Sequence, residues 1–343
     1  MVKRIKISAD DSTYTTLPGN TAEMRDEAGQ LTDTIFGQSY DSSEIGLITA
    51  TLTANALYKG FAGYVVSFKV AGTPTTMSGE AMSNVSGKIY QVTNTAHQIL
   101  DHATAVVIYD NGVDHTDDVI SIDYLTGTVT FASAYTVTGP VTMDAKYVPT
   151  TAIAGARTFT LTQTANAIDN TDIPTAKANG GFRTFEPGLK QVSLTVGGVF
   201  KASNAFRDAL IARSVFIVEI NPDNSGLSLC RGYFKYSGRS QTGDIGALEE
   251  ENLTLMLQVP DIELLTRPFG WVHSALTQLN LGIRDCLAAW EDETLVYAQY
   301  LYDGTNGYQG QAVVTDLSLS GGLEAMNTFS VSLQVSGAMT DVP

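Results

Sequence analysis

Ile283-Arg284-Asp285-Cys286-Leu287 repeats the pattern of Phe206-Arg207-Asp208-Ala209-Leu210 at an offset of 77 residues, 206 to 283. Phe206, Ala209, Leu210 and Arg213 stand at i, i+3, i+4 and i+7, and Ile283, Cys286, Leu287 and Trp290 do the same. Ser203-Asn204 and Asn280 stand ahead of them, where a short polar side chain accepts a free helix N–H. The spacing predicts one short helix in each copy, with Phe206, Leu210, Ile283, Leu287 and Trp290 turned to a core.

The residues after each helix repeat as well. Val215-Phe216-Ile217-Val218-Glu219-Ile220 matches Leu295-Val296-Tyr297-Ala298-Gln299-Tyr300, and the turn at 223–226 matches Asp303-Gly304-Thr305-Asn306. A strand at 232–237 matches one at 311–319, and Leu257-Gln258-Val259 matches Leu333-Gln334-Val335 at an offset of 76. Helix, strand, turn and two strands in one order predict a duplicated unit. The first copy has strands at 158–162 and 190–196 ahead of its helix. The second has only residues 269–279 there, so its missing strands are expected from 44–70.

Four stretches result. Residues 1–84 open on the alternating Lys3-Arg4-Ile5-Lys6-Ile7, then run polar from Asp10 to Ser43, then give strand patterns at 47–52 and 64–70. The polar run reads either as an arm that orders against a neighbouring subunit or as a flexible terminal segment. Residues 85–149 read as a small β module, with strands at 88–92, 105–109, 119–124, 128–131 and 141–147. Asp110-Asn111-Gly112 and Leu125-Thr126-Gly127 mark turns within it. Residues 150–260 hold the first repeated unit and 261–343 the second. The fold class expected is mainly β, α+β in detail: two sandwich or barrel units, each flanked by a short helix, plus an immunoglobulin-like or other small β module.

The composition suits such a chain. Of 343 residues 43% are apolar, enough for a core in each of two or three domains. Twenty basic residues face thirty-six acidic ones, a net charge of −16. No cation excess is left to neutralise phosphates, so sequence-independent DNA binding is disfavoured, although solubility alone explains the same charge. Cys230 and Cys286 sit in apolar patterns and read as buried hydrophobes in a reducing cytoplasm, not as a disulfide framework. No apolar stretch reaches 18 residues, so no membrane insertion is expected.

Nothing in the sequence carries a chemical signature. His97 and His102 fit no zinc spacing, and Asp114-His115-Thr116-Asp117-Asp118 lacks the calcium-loop pattern and reads as a solvated hairpin loop. No nucleophile elbow, phosphate loop or dinucleotide fingerprint occurs. The expectation is no catalytic residue, no metal and no cofactor. Two acidic triplets stand out, Glu249-Glu250-Glu251 and Glu291-Asp292-Glu293. Glu219 shares a strand face with Val215 and Ile217 by alternation. These seven are candidates for a lumen or a ring interface, with solvated loops as the alternative.

One helix on a small sheet leaves strand edges that must be covered or paired. Units that pair edge to edge in a ring remove those edges. Two linked copies per chain let three chains form a ring of six sheets, and head-to-tail stacking makes a tube.

Three stretches resemble the major tail tube proteins of long, non-contractile phage tails. Arg183-Thr184-Phe185-Glu186-Pro187-Gly188-Leu189-Lys190-Gln191-Val192-Ser193-Leu194 looks like the family's "TFxPGL…xSL" strand opening, and Asn327 to Gly337 looks like its closing strand. Thr13 to Asn20 and on through Lys59 to Tyr64 is similar to its N-terminal arm. The resemblance covers 1–84 and 156–343. It implies trimeric, pseudo-hexameric rings stacked into a virion tail tube, assembled in the bacterial host cytoplasm, with an acidic lumen that passes double-stranded DNA without binding it. The implied partners are other copies of the chain and tail proteins such as the tape measure, tail tip and terminator. The 85–149 module departs from a minimal tube protein and is expected on the outer surface. Two other classes stay open: a carbohydrate-binding or adhesin-like β-sandwich, suggested by that module and fifteen tyrosines, and an acidic hydrolase, whose mark is a cleft with perturbed carboxylates.

Overall fold

The computed structural model describes residues 3–17, 21–32, 43–58, 66–179, 181–201, 204–221, 229–242, 250–258, 267–276, 279–322 and 327–342. The protein is mainly β. The N-terminal part holds β1 (Arg4–Ser8), β2 (Thr15–Thr16), β3 (Thr21–Thr32), β4 (Ser43–Tyr58) and β5 (Val66–Ala71). Then come β6 (Thr75–Ser86), β7 (Ile89–Val92), β8 (Val107–Asp110), β9 (Val113–Asp114), β10 (Val119–Asp123), β11 (Thr128–Phe131) and β12 (Val141–Tyr147), which form a seven-stranded sheet. Next are β13 (Thr150–Ala156), β14 (Thr158–Asp169), α1 (Ile173–Ala178), β15 (Phe185–Gly197), β16 (Phe200–Lys201) and α2 (Asn204–Ile211). The chain continues through β17 (Phe216–Ile220), β18 (Cys230–Thr242), β19 (Glu250–Leu257), β20 (Phe269–Trp271), α3 (His273–Leu276), α4 (Leu281–Asp292), β21 (Val296–Leu301), β22 (Gly307–Gly322) and β23 (Asn327–Asp341). The remaining sixteen strands share one larger sheet.

Strand pairing writes the duplication into the larger sheet. One unit runs β13-β5-β17-β18-β19-β15-β14 and the other β2-β1-β21-β22-β23-β4-β3, each strand bonded to the next. Helices α2 and α4 stand immediately before β17 and β21. The second unit is thus drawn from both ends of the chain, with the whole first unit lying between its halves. β4 supplies one of the strands missing ahead of α4, as expected of residues 44–70, whereas β5 pairs β17 in the first unit.

The registers agree residue by residue. Phe234↔Leu257 and Tyr236↔Leu255 in β18–β19 become Ala312↔Val335 and Val314↔Leu333 in β22–β23, a constant offset of 78 from 234 to 312. A bulge follows in both, between Tyr236 and Gly238 and between Val314 and Asp316. The bulged hydroxyls do the same work: Ser237 Oγ donates to the Thr254 carbonyl at 3.0 Å and Thr315 Oγ1 to the Ser332 carbonyl at 3.1 Å. The hairpins β14–β15 and β3–β4 also share a bulge, between Ala165 and Ala167 and between Ala28 and Gln30.

These registers correct the sequence match. Both helices end in a left-handed residue, Arg213 at φ 53° and Glu293 at φ 56°, followed by Ser214 N–H to the Ala209 carbonyl and Thr294 N–H to the Ala289 carbonyl. The helices therefore correspond at an offset of 80, 213 to 293, so Phe206 answers Cys286 and Leu210 answers Trp290. The helix offset of 77 matches apolar letters that recur every three to four residues, one turn away, and the strand offset of 76 matches letters that recur every two.

Helices α2 and α4 each turn apolar side chains to the core. Phe206 and Leu210 are buried, and so are Ile283, Cys286, Leu287 and Trp290. Asn280 caps α4 by accepting from Gly282 N at 2.9 Å. Phe206 packs on Phe68 and Phe216 with ring centroids 5.3 and 5.8 Å apart, geometry worth about 0.5–1.5 kcal/mol per pair beyond area burial. Cys230 and Cys286 are free and buried, and burial pushes both thiols well above their ordinary range.

Two expectations change. The run from Asp10 to Ser43 contains β2 and β3. It reads as polar because β3 has one covered face: Ala22 and Met24 pack against the core while Glu23, Arg25 and Glu27 alternate outward. Likewise β6, Thr75–Ser86, is a polar strand that joins β7 to β12, buries only Met77 and Met82, and hid its period. The predicted Asn111-Gly112 turn has φ of 52° and 80°, the pair a tight hairpin turn needs. The turn at 223–226, Ser203 and Val259 lie outside the described residues.

Candidate assembly edges

The two units meet strand to strand. β14 of the first pairs antiparallel with β22 of the second, from Thr158↔Gly322 to Thr164↔Asp316. β22 therefore carries β23 along one edge and β21 then β14 along the other. The corresponding places differ. β18 carries β19 along one edge and β17 on the other only as far as Phe234, and no strand pairs that second edge from Gly238 to Thr242 among the described residues. Among the described residues β3, the counterpart of β14, pairs β4 alone. Among the described residues the β14–β22 joint is filled, and its counterparts, β3 and the second edge of β18, carry no further strand.

The acidic candidates scatter. Glu219 is 8% exposed, with Oε2 2.6 Å from Lys69 Nζ and Oε1 3.0 Å from Arg231 Nε. Arg231, 3% exposed, lies under the small sheet, where its Nη1 reaches the Leu125 carbonyl at 3.5 Å. Glu219 shares its strand face with Ile217, as alternation predicts, but that face is covered by the module, because the opposite face of β17 already packs on the core. The second unit has an uncharged copy of this pair: Gln299 Nε2 donates to Gln309 Oε1 at 2.9 Å, opposite each other as Glu219 and Arg231 are.

The triplet at 291–293 splits. Glu291 lies on the buried side of α4, its carboxylate accepting from the Trp271 backbone N–H and standing 3.8 Å from Arg267. Burial pushes it up to about 7, with Arg267 opposing the rise. Asp292 is exposed at the helix end. Glu293 Oε1 meets Lys190 Nζ at 2.9 Å. Lys190 also donates to the Glu291 carbonyl at 2.9 Å and lies 5.3 Å from the Trp290 ring centre, so one β15 lysine latches the first unit to the helix of the second. Glu250 and Glu251 open β19, opposite Thr242 and Gln241, while Glu249 lies outside the described residues. Lys69, Lys190, Arg231 and Arg267 escaped the sequence reading, since nothing local marks a cation whose partner is remote in sequence.

A cleft of about 560 Å³ separates the small sheet from α4, lined by Ile122 and Asp123 on one side and Arg284, Asp285 and Glu291 on the other. Burial raises the Asp285 carboxyl too, with Arg284 opposing. Asp285 and Glu291 stand six residues apart on one helix, about 9 Å of axial rise. His115 Nδ1 lies 2.9 Å from Asp118, and His97 Nδ1 2.9 Å from Glu80.

The fold is therefore a duplicated α+β unit joined through a common sheet, with a separate antiparallel β module between two of its strands. No family model and no curated protein matches the chain. Two solved structures are similar to part of it. One is described as "Tail of empty GTA particle computed with helical refinement, C6 symmetry": 17% identical, covering 36% of this chain and 86% of that chain, TM-score 0.29. The other is described as "Virion of native gene transfer agent (GTA) particle": 21% identical, covering 32% of this chain and 85% of that chain, TM-score 0.27.

Proposed function

We propose that the chain is a structural subunit of a phage-type tail tube, acting by self-assembly and not by catalysis. Three chains form a pseudo-hexameric ring, and stacked rings enclose a lumen through which genomic DNA passes. The observation that supports this reading is the filled joint between β14 and β22 beside the open counterparts β3 and β18. A chain that joins two like units through one sheet and leaves the counterpart edges of that joint without a strand, among the described residues, is built to continue. The net charge of −16 favours a wall that does not hold phosphate. Other tail proteins at the two ends of the tube, and assembly in the bacterial host cytoplasm, complete the proposal. Immunogold electron microscopy of particles tests it: antibody against the chain should decorate the tail shaft, and decoration of capsids alone, or of nothing, rejects it.

One observation favours a second reading. The cleft beside α4 is lined by two burial-perturbed carboxylates, a feature expected of an acidic hydrolase. Hydrolysis of a polysaccharide panel by the purified chain, lost in Asp285→Asn and Glu291→Gln, would favour it. No turnover leaves the structural role.

A further inference from the structure

The internal repeat specifies how two copies join. We propose that β3 of one copy adds antiparallel to the open edge of β18 in the next, with Asp26 opposite Arg239. The proposal rests on the ring-forming reading above and names the two surfaces that reading needs.

The register comes from the filled joint. Shared bulges align β14 with β3, so that Ala165 answers Ala28, and align β22 with β18, so that Asp316 answers Gly238. In the filled joint Leu161 faces Leu319, Thr162 faces Ser318, Gln163 faces Leu317 and Thr164 faces Asp316. Carried across, Met24 faces Gln241, Arg25 faces Ser240, Asp26 faces Arg239 and Glu27 faces Gly238.

Charge agrees with this register. From Thr21 to Ala28, β3 carries Glu23, Asp26 and Glu27 against one Arg25, while β18 beyond its Arg231–Glu219 pair carries Lys235 and Arg239 and no acid. In a chain with sixteen more acids than bases, the part of β18 that carries these two cations is the part whose second edge no strand pairs among the described residues. Opposite charges facing across a strand pair stabilise it, and like charges oppose it. Sliding β3 by one residue sets Arg25 against Arg239 and turns every inward side chain outward. β3 and the β18 edge are different surfaces of one chain, so the contact is head to tail and propagates until it closes. The occupant is a second copy, because the partner of each edge is the other edge.

Cysteine trapping tests the register. Arg25→Cys/Ser240→Cys and Asp26→Cys/Arg239→Cys place two thiols directly opposite; Arg25→Cys/Gln241→Cys, on opposite faces of the sheet, is the control. With each variant's circular dichroism matching wild type under reducing conditions, mild oxidation of the first two should give a ladder of covalent oligomers on a non-reducing gel, ending at the number of chains per ring, and the control should not. Hydrogen exchange on the unmodified chain adds a readout free of substitution: amides of 23–27 and 238–242 should slow on assembly. If rings form by electron microscopy but neither pair cross-links above the control, or those amides exchange equally fast in ring and dispersed chain, these edges are wrong while the tube reading stands. If the chain stays monomeric with no ladder at any concentration, both fail.

Discussion

At the scale of the residue, the two units solve one problem twice. Glu219 and Arg231 are a buried ion pair, and Gln299 and Gln309 are its uncharged counterpart in the same register. Removing one partner of a buried pair strands the other charge, at a cost of about 3–5 kcal/mol. Glu219→Gln should therefore lower stability by that order. Glu219→Gln with Arg231→Gln should recover most of it, since it copies a pair the molecule already tolerates, and Lys69, with 23% of its side chain exposed, reaches water. Thermal unfolding of the three chains checks this; a double variant no better than the single rejects the equivalence. Glu291 gives a pH test. Its carboxyl titrates about 7 when folded, above the ordinary 4.5, so the folded chain holds a proton that the unfolded chain has already lost. Stability from this group is full below about pH 4.5 and drains away as pH rises through 7, by at most about 3 kcal/mol. Glu291→Gln should therefore unfold at higher temperature than wild type at pH 8, with the gap closing at pH 5. A gap independent of pH would mean that the carboxylate is not the cause.

At the scale of the element, α2 and α4 were legible, whereas α1, α3 and the edge strands were not. A helix announces itself by apolar spacing plus a cap, and Asn280 with Ile283, Cys286, Leu287 and Trp290 supplied both. β3 and β6 lie at edges or carry one covered face, so their letters are mostly polar and the period fades. The contact between Lys69 and Glu219 was illegible for a different reason: the two are 150 residues apart. The bulges were equally silent, yet they anchor the repeat. Thr315 Oγ1 satisfies the Ser332 carbonyl inside a bulge, and Thr315→Val keeps the shape while removing the donor. The cost expected is about 1 kcal/mol, read by denaturant unfolding, and Ser237→Ala should cost the same order in the first unit. Leu287, 2% exposed beneath α4, is less forgiving: Leu287→Asp buries an unpaired charge and should cost several kcal/mol, seen as lost cooperative unfolding. Wild-type stability in that variant would remove α4 from the core.

At the scale of the molecule, the apolar residues fall into two separate clusters, one inside the duplicated units and one inside the small sheet. The small sheet leaves the first unit after β5 and returns at β13, and those flanking strands pair with each other, Ala71 opposite Thr150, with Gly72 N–H donating to the Pro149 carbonyl at 2.7 Å. Its two ends are thus a hairpin's width apart. The second unit passes the same point, from β1 to β2, with a short loop and no sheet at all, and those strands also pair, Ile7 opposite Thr15. A unit of this kind therefore holds together without the insertion. Replacing residues 73–148 by an Asn-Gly turn should give a folded chain that keeps the larger cluster and still forms rings. The change uncovers Arg231 and Glu219 to water, while Arg231 loses the Leu125 carbonyl and Ser274 N–H loses Gln91 Oε1, so the loss of stability should be modest, on the order of a surface change and not of a core deletion. Near-ultraviolet circular dichroism of the Trp271 and Trp290 surroundings, together with electron microscopy of the shortened chain, checks this. Collapse of the tryptophan signal would mean that the small sheet is part of the unit's core, and intact tryptophans without rings would place the module in the assembly contact itself.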